Sequence, residues 1–119
     1  MKIAVLVSGG GTNLQAIIDS LSSGKITNTT LELVVSNKPG AYALERAAKN
    51  GIQSECVIPK DYSTREEYGE AMISLLEKHE IELVVLAGFL VILPENLVSH
   101  YAGRMINIHP SLIPAHCGP

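Results

Sequence analysis

Asn107 and His109 stand two positions apart in the otherwise apolar stretch Met105-Ile-Asn-Ile-His-Pro-Ser-Leu-Ile-Pro114. Side chains alternate along a strand, so Met105, Asn107 and His109 share one face while Ile106 and Ile108 share the other. Pro110 has no N–H to give to a ladder, so the strand is expected to stop beside His109. An amide donor and an imidazole would then leave the same face at a strand's C-terminal end, where open α/β sheets place their ligands. That pair suits acyl or formyl transfer. When an amine attacks a carbonyl carbon, charge grows on oxygen, and a fixed Asn amide with a protonated His can stabilise it. Histidine, with an unperturbed pKa of about 6.5, can also carry the proton that the amine sheds to the leaving group. The same spacing fits an Asn that only bonds loop backbone and a His that only caps a strand edge, and spacing does not decide between them.

The elements that must hold these groups read as an alternation of strands and helices. Ile3-Ala-Val-Leu-Val7 and Leu83-Val-Val-Leu-Ala87 are continuous apolar runs of the kind found in parallel strands covered on both faces. Leu31-Glu-Leu-Val-Val35 is a third strand, and Glu55-Cys56-Val57-Ile58 a weaker one expected near an edge and closed by Pro59. Between the first two strands in the chain, Ser8-Gly-Gly-Gly-Thr12-Asn13 leads into Leu14, Ile17, Ile18 and Leu21 at helical spacing, with Gly24 placed to end the helix. Without β-carbons the glycine backbone can approach a phosphate, and the free N–H groups of the helix start attract its charge. The loop lacks the third glycine of a dinucleotide fingerprint, where Leu14 stands, and the Gly-Lys-Ser/Thr end of a P-loop. A tight turn before a capped helix would read the same way.

Ala41, Leu44, Ala47 and Ala48 mark a short helix with Gly51 just past its end. Ser63 and Thr64, with Glu66 and Glu67, offer overlapping capping boxes for a longer helix whose inner face is Tyr68, Met72, Leu75 and Leu76. Arg65 falls in its first turn, where a cation opposes the helix dipole, and is expected to face a ligand carboxylate or simply solvent. His79, near that helix's end, reads as a favourable C-terminal charge. Residues 88–93 form an apolar loop that could wall a flat ring or belong to the core. Pro94 opens a short helix expected to turn Leu97 and Val98 inward, and Gly103 leads the chain into the Asn107 strand. The expected fold class is α/β: a Rossmann-like open parallel sheet of about five strands with helices on both faces, in the order 3-2-1-4-5. The gap between strands 1 and 4 is the topological switch point.

Composition narrows the function classes. A chain of 119 residues, 46% hydrophobic, fits one domain, and a net charge of -3 without a Lys/Arg block gives no footprint for nucleic acid. Aromatic platforms for stacked bases are missing too, since there is one Phe and no Trp. The two cysteines, Cys56 and Cys117, are too few for a disulfide framework and lack metal or redox spacing, so free thiols and a cytoplasmic setting are expected. No signal-peptide core or membrane span is expected. A metal site at His109, His116 and Cys117 is a minor alternative, and no metal is expected.

Taken together, the opening Ser8-Gly-Gly-Gly-Thr-Asn-Leu-Gln15, the Ser63-Thr-Arg-Glu-Glu-Tyr68 helix start, Ala87-Gly-Phe89 with Ile92-Leu93, Ser99-His-Tyr-Ala-Gly-Arg104 and Asn107-Ile-His-Pro-Ser-Leu112 resemble the phosphoribosylglycinamide formyltransferase family, N-terminal part. The Asn107 motif is shared with methionyl-tRNA formyltransferase and formyltetrahydrofolate hydrolase, whereas the glycine-rich opening selects the first family. The resemblance implies that Gly11, Thr12 and Asn13 hold the phosphoribosyl substrate. It assigns Arg65 and the backbone of Leu90, Val91, Ile92 and Leu93 to 10-formyltetrahydrofolate. Asn107 would hold the formyl oxygen, and His109 would be the catalytic acid/base. The implied reaction moves a formyl group from 10-formyltetrahydrofolate to the amine of 5-phosphoribosylglycinamide in purine synthesis.

Two departures follow from the same comparison. Val91 stands where the family usually has Arg, which removes a cation near the folate tail. The family chain also continues through further strands, a long helix and an Asp that pairs with the His. Residues 1–119 are therefore expected to form a single formyltransferase N-terminal domain that stops before that segment, with impaired turnover and an exposed last strand open to self-association. The alternative readings are an inactive phosphoribosyl- or nucleotide-binding fragment and another folate-dependent formyltransferase or hydrolase of the superfamily.

Overall fold

A computed structural model describes residues 1–9, 12–24, 27–89 and 93–108. The strands are β1 (Lys2–Val7), β2 (Thr30–Ser36), β3 (Ser54–Cys56), β4 (Leu83–Ala87) and β5 (Met105–Ile108). The helices are α1 (Thr12–Ser22), α2 (Tyr42–Lys49), α3 (Arg65–Lys78) and α4 (Glu95–His100). All neighbouring strands pair in parallel, in the order β3-β2-β1-β4-β5 that the sequence suggests.

Both faces of β1 and β4 are buried, which is why they read as unbroken apolar runs. Ala4 and Leu6 of β1 and Val84 and Leu86 of β4 pack with Tyr68, Met72 and Leu76 of α3 and with Leu97 and Tyr101 at α4. Ile3, Val5 and Val7, with Val85 and Ala87, pack on the other side against Leu14 and Ile18 of α1 and Ala43 and Ala47 of α2. Each fully buried Leu or Met contributes roughly 1.5–3 kcal/mol through the area it removes from water.

These contacts add one irregularity and correct three local readings. In β2, Ile3 pairs with Leu31 but Ala4 with Leu33, so Glu32 is an extra residue in the ladder. That bulge turns Leu31 to the α1/α2 side while Leu33 and Val35 face α3, where simple alternation would keep all three together. Val98 does not face inward: it is 42% exposed, and Leu97 is the buried residue of α4. The inner face of α2 is Ala43 and Ala47, with Ala48 exposed. The third strand is shorter and earlier than expected, pairing only Ser54, Glu55 and Cys56 with β2, after which a 3-10 turn runs from Pro59 to Asp61.

Helix ends follow the capping logic. Of the overlapping boxes at α3, half of the Thr64 one forms: its side chain accepts from Glu67 N–H at 3.0 Å, while Glu67 Oε1 accepts from the N–H of Ser63, one residue before the N-cap, at 3.0 Å. At the far end Ile81 N–H bonds Leu76 C=O and Glu80 N–H bonds Glu77 C=O, a Schellman arrangement that puts Glu80 at φ 56°. Glycine is the usual residue there; Glu80 instead pairs with Lys2 at the start of β1 at 2.6 Å.

Tyr68 gives this core an alkaline limit. Burial, with Tyr62 and Cys56 nearby, pushes its phenol up to about 12, and its hydroxyl donates to Val57 C=O at 3.3 Å. In an unfolded chain tyrosine ionises near 10. Between those values the folded state keeps a proton that the unfolded state releases, so stability falls as pH rises from about 10 toward 12. Urea midpoints are expected to drop across that range, with Tyr68→Phe flattening part of the slope; an identical slope in the variant would refute this account. Tyr101, raised in the same direction by burial, supplies slope that remains.

Candidate functional site

Because the strands are parallel, their C-terminal ends share one rim of the sheet, and each helix that follows a strand starts on that rim. β1 and β4 are adjacent although the chain leaves them in opposite directions across the sheet. The C-terminal ends of β1, β4 and β5 therefore lie side by side on that rim, with the switch point between β1 and β4.

After β1, Ser8 is buried, and Gly9 C=O accepts from Ala43 N–H at 3.4 Å, tying the glycine loop to the first turn of α2. Thr12 is the first residue of α1 and Asn13 follows it, half-buried. Gly11 lies outside the described residues. After β4, Gly88 takes φ 72°, a left-handed conformation that favours glycine, and lets the chain bend off the strand at once. Phe89 and Leu93 both pack onto the α3/α4 core. Leu90, Val91 and Ile92 lie outside the described residues.

On β5, Met105 packs into the α3/α4 core and Ile108 onto the α1 side, the alternation read from the sequence. Asn107 pairs in register with Leu86 of β4 and is exposed. Its carboxamide makes no hydrogen bond among the described residues, so it is available to a ligand as donor or acceptor. His109, two residues on, lies outside the described residues.

Arg65 is the first residue of α3, on the same rim, and is exposed. With Glu66, Glu95 and Asn96 it lines a hollow of about 250 Å³ between the starts of α3 and α4. Another hollow, of about 290 Å³, lies at the opposite end of the strands beside Thr30 and Leu31, far from these groups. Among the described residues no three His, Cys, Asp or Glu side chains are grouped to hold a metal ion. Cys56 is free, and burial with Asp61 nearby pushes its thiol up, the reverse of an activated nucleophile.

His79 is the C-cap of α3, with its Nε2 buried and without a partner among the described residues, and Asn37 Oδ1 just past β2 is likewise buried without one. The feature missed altogether is Gly69 in the middle of α3. A glycine inside a helical pattern costs about 1 kcal/mol relative to alanine, and that cost was the available signal. A β-carbon there would collide with Asn96 Oδ1 and would sit 2.8 Å from both Asn96 Cγ and Pro94 Cβ. The two helix starts that frame the Arg65 hollow thus meet backbone against side chain.

The chain can now be set beside known proteins. Phosphoribosylglycinamide formyltransferase of Escherichia coli is 48% identical over 118 residues, which cover 99% of this chain and 55% of that one. The trifunctional purine biosynthetic protein adenosine-3 of Chironomus tentans is 44% identical over 98% of this chain and 9% of its own. The crystal structure of phosphoribosylglycinamide formyltransferase from Bacillus halodurans superposes with a TM-score of 0.88 at 37% identity, covering 97% of this chain and 59% of that one. The chain thus spans little more than half the length of its single-function relatives. No described helix is long and apolar enough to cross a membrane. Residues 1–119 match the family described as Formyl transferase from first to last, and the chain belongs to that family.

Proposed function

We propose that this chain forms the N-terminal half-site of a phosphoribosylglycinamide formyltransferase, a single domain over residues 1–119 that acts in the cytoplasm in purine synthesis. The reaction is transfer of the formyl group of 10-formyltetrahydrofolate to the amine of 5-phosphoribosylglycinamide. The amine nitrogen bonds the formyl carbon, the bond to the folate nitrogen breaks, and tetrahydrofolate leaves. The Asn107 carboxamide donates to the formyl oxygen as it gains charge. His109 takes the proton that the amine sheds and returns it to the departing nitrogen. Gly11, Thr12 and Asn13 seat the phosphate and ribose at the start of α1. Leu90, Val91, Ile92 and Leu93 wall the folate ring, and Arg65 meets the carboxylates of its tail.

The observation that carries this reading is Asn107: a carboxamide exposed and without a hydrogen bond among the described residues, at the C-terminal end of the strand beside β4, in a chain of the formyl transferase family. Phe89 and Leu93, packed on the core at the same rim, support an apolar ring site there. Among the described residues β5 is the sheet's edge strand, and Ile106 is 48% exposed, which supports self-association through that edge.

Calorimetry on the purified chain with 5-phosphoribosylglycinamide and a stable folate analogue tests the proposal, alongside a formyl-transfer assay against the E. coli relative. Both ligands are expected to bind, turnover by the 119-residue chain alone is expected to be a small fraction of the relative's, and light scattering is expected to show dimers at high concentration. Binding of the ribonucleotide without the folate would favour a non-catalytic phosphoribosyl-binding unit. Binding of neither would sink the proposal, comparable turnover would sink the half-site part of it, and a strict monomer would remove the edge association.

A further inference from the structure

Asn96 joins the two helices whose starts frame the Arg65 hollow. Its Nδ2 donates to Glu66 C=O at 3.0 Å, and its Oδ1 accepts from Leu97 N–H at 3.0 Å. One amide therefore spans from the first turn of α3 to the first turn of α4. It can do so because Gly69 leaves no side chain in the way. Arg65 precedes Glu66 directly, and Leu93 and Pro94 lead into α4, so the bridge sets the separation of the Arg65 backbone from the Leu93 wall.

The bridge acts beside other contacts between the two helices: Leu97 and Tyr101 in the core, Pro94 against Gly69, and His100 Nε2 with Glu77 Oε2 at 2.9 Å at the far end of α4. Of α4's six residues Leu97 is the one buried. A helix held in its core and at its far end still needs a directional contact at its start to fix where that start sits. Asn96 supplies that contact beside the rim, while Leu97, Tyr101 and Met72 hold the core below it.

We propose that Asn96 is a positioning residue for the folate. It keeps the cation that meets the tail and the apolar wall that meets the ring at one fixed distance. Resting as it does on the folate reading given above, this inference adds a specificity role for a residue that touches neither ligand end through its own bridge. A ligand held at both ends gains from the second contact only if the two subsites are spaced to match it. Losing the bridge should therefore weaken a full-length folate and leave a tail-less one nearly unaffected.

The experiment measures affinities of the whole chain by calorimetry for a stable 10-formyl folate analogue and for the same analogue lacking its glutamate. Unaltered protein is compared with Asn96→Ala and Asn96→Leu. Leucine branches at Cγ as asparagine does but is larger and has no donor, so it keeps the contact over Gly69 that alanine gives up. Thermal midpoints and ribonucleotide affinity report whether each variant is folded. A roughly five- to tenfold loss is expected for the full analogue, the order of one hydrogen bond, with under about twofold for the truncated one. A merely structural role would lower both affinities together, and that result overturns the proposal, as does an unchanged preference for the full analogue in folded variants. If unaltered protein does not bind the full analogue, the folate reading itself fails, and this inference with it.

Discussion

Replacing Asn107 by alanine is expected to lower kcat by about 10²–10³-fold with little change in KM, the scale of losing one donor to a developing oxyanion. The measurement calls for a chimera in which this chain is followed by the portion of the E. coli relative that lies beyond the match, since that relative is covered over only 55% of its length. The reasoning is electrostatic. The formyl oxygen is a neutral carbonyl when substrate binds and carries charge only as the new C–N bond forms, so a fixed amide donor stabilises the later state more. Asn107→Asp keeps the size but turns an acceptor toward the growing charge, and should do no better than alanine. Were either variant to raise KM and spare kcat, Asn107 would be a binding group and the catalytic role given to it would be wrong.

Gly69→Ala should destabilise the fold by about 1–3 kcal/mol, as overpacking of a filled interface does. Helix propensity argues the other way, since alanine is worth about 1 kcal/mol more than glycine in a helix. Packing is expected to win because of what the new methyl would strike. Asn96 could swing aside only by breaking its bonds to Glu66 and Leu97, and the Pro94 ring, 2.8 Å away, has no free rotor to yield. Urea unfolding of the two proteins decides the matter, and a variant as stable as the parent would mean that α3 and α4 do not approach this closely.

These two residues differ in how they could be found. Asn107 was legible because strand alternation is a local rule: a polar side chain on the Met105 face, just before a proline, must emerge where the strand ends. The strand order was legible for a related reason, since continuous apolar runs separated by capped helices leave few parallel topologies. Gly69 showed only as an unexplained cost in a helix. Its partner Asn96 bonds a carbonyl 30 residues away in sequence, and no periodicity records a contact of that kind.

By itself, then, the sequence determined the elements that follow local rules: the buried β1 and β4, the Thr64 cap, and the rim to which Asn107 belongs. Tertiary structure decided what depends on the distance between elements. It placed the bulge at Glu32 that turns Leu31 to the other layer, left Val98 outside while Leu97 went in, and closed α4 onto Gly69. The division has one physical cause. Backbone geometry repeats with a period that any short stretch displays, whereas packing is settled by whichever atoms arrive from elsewhere in the chain.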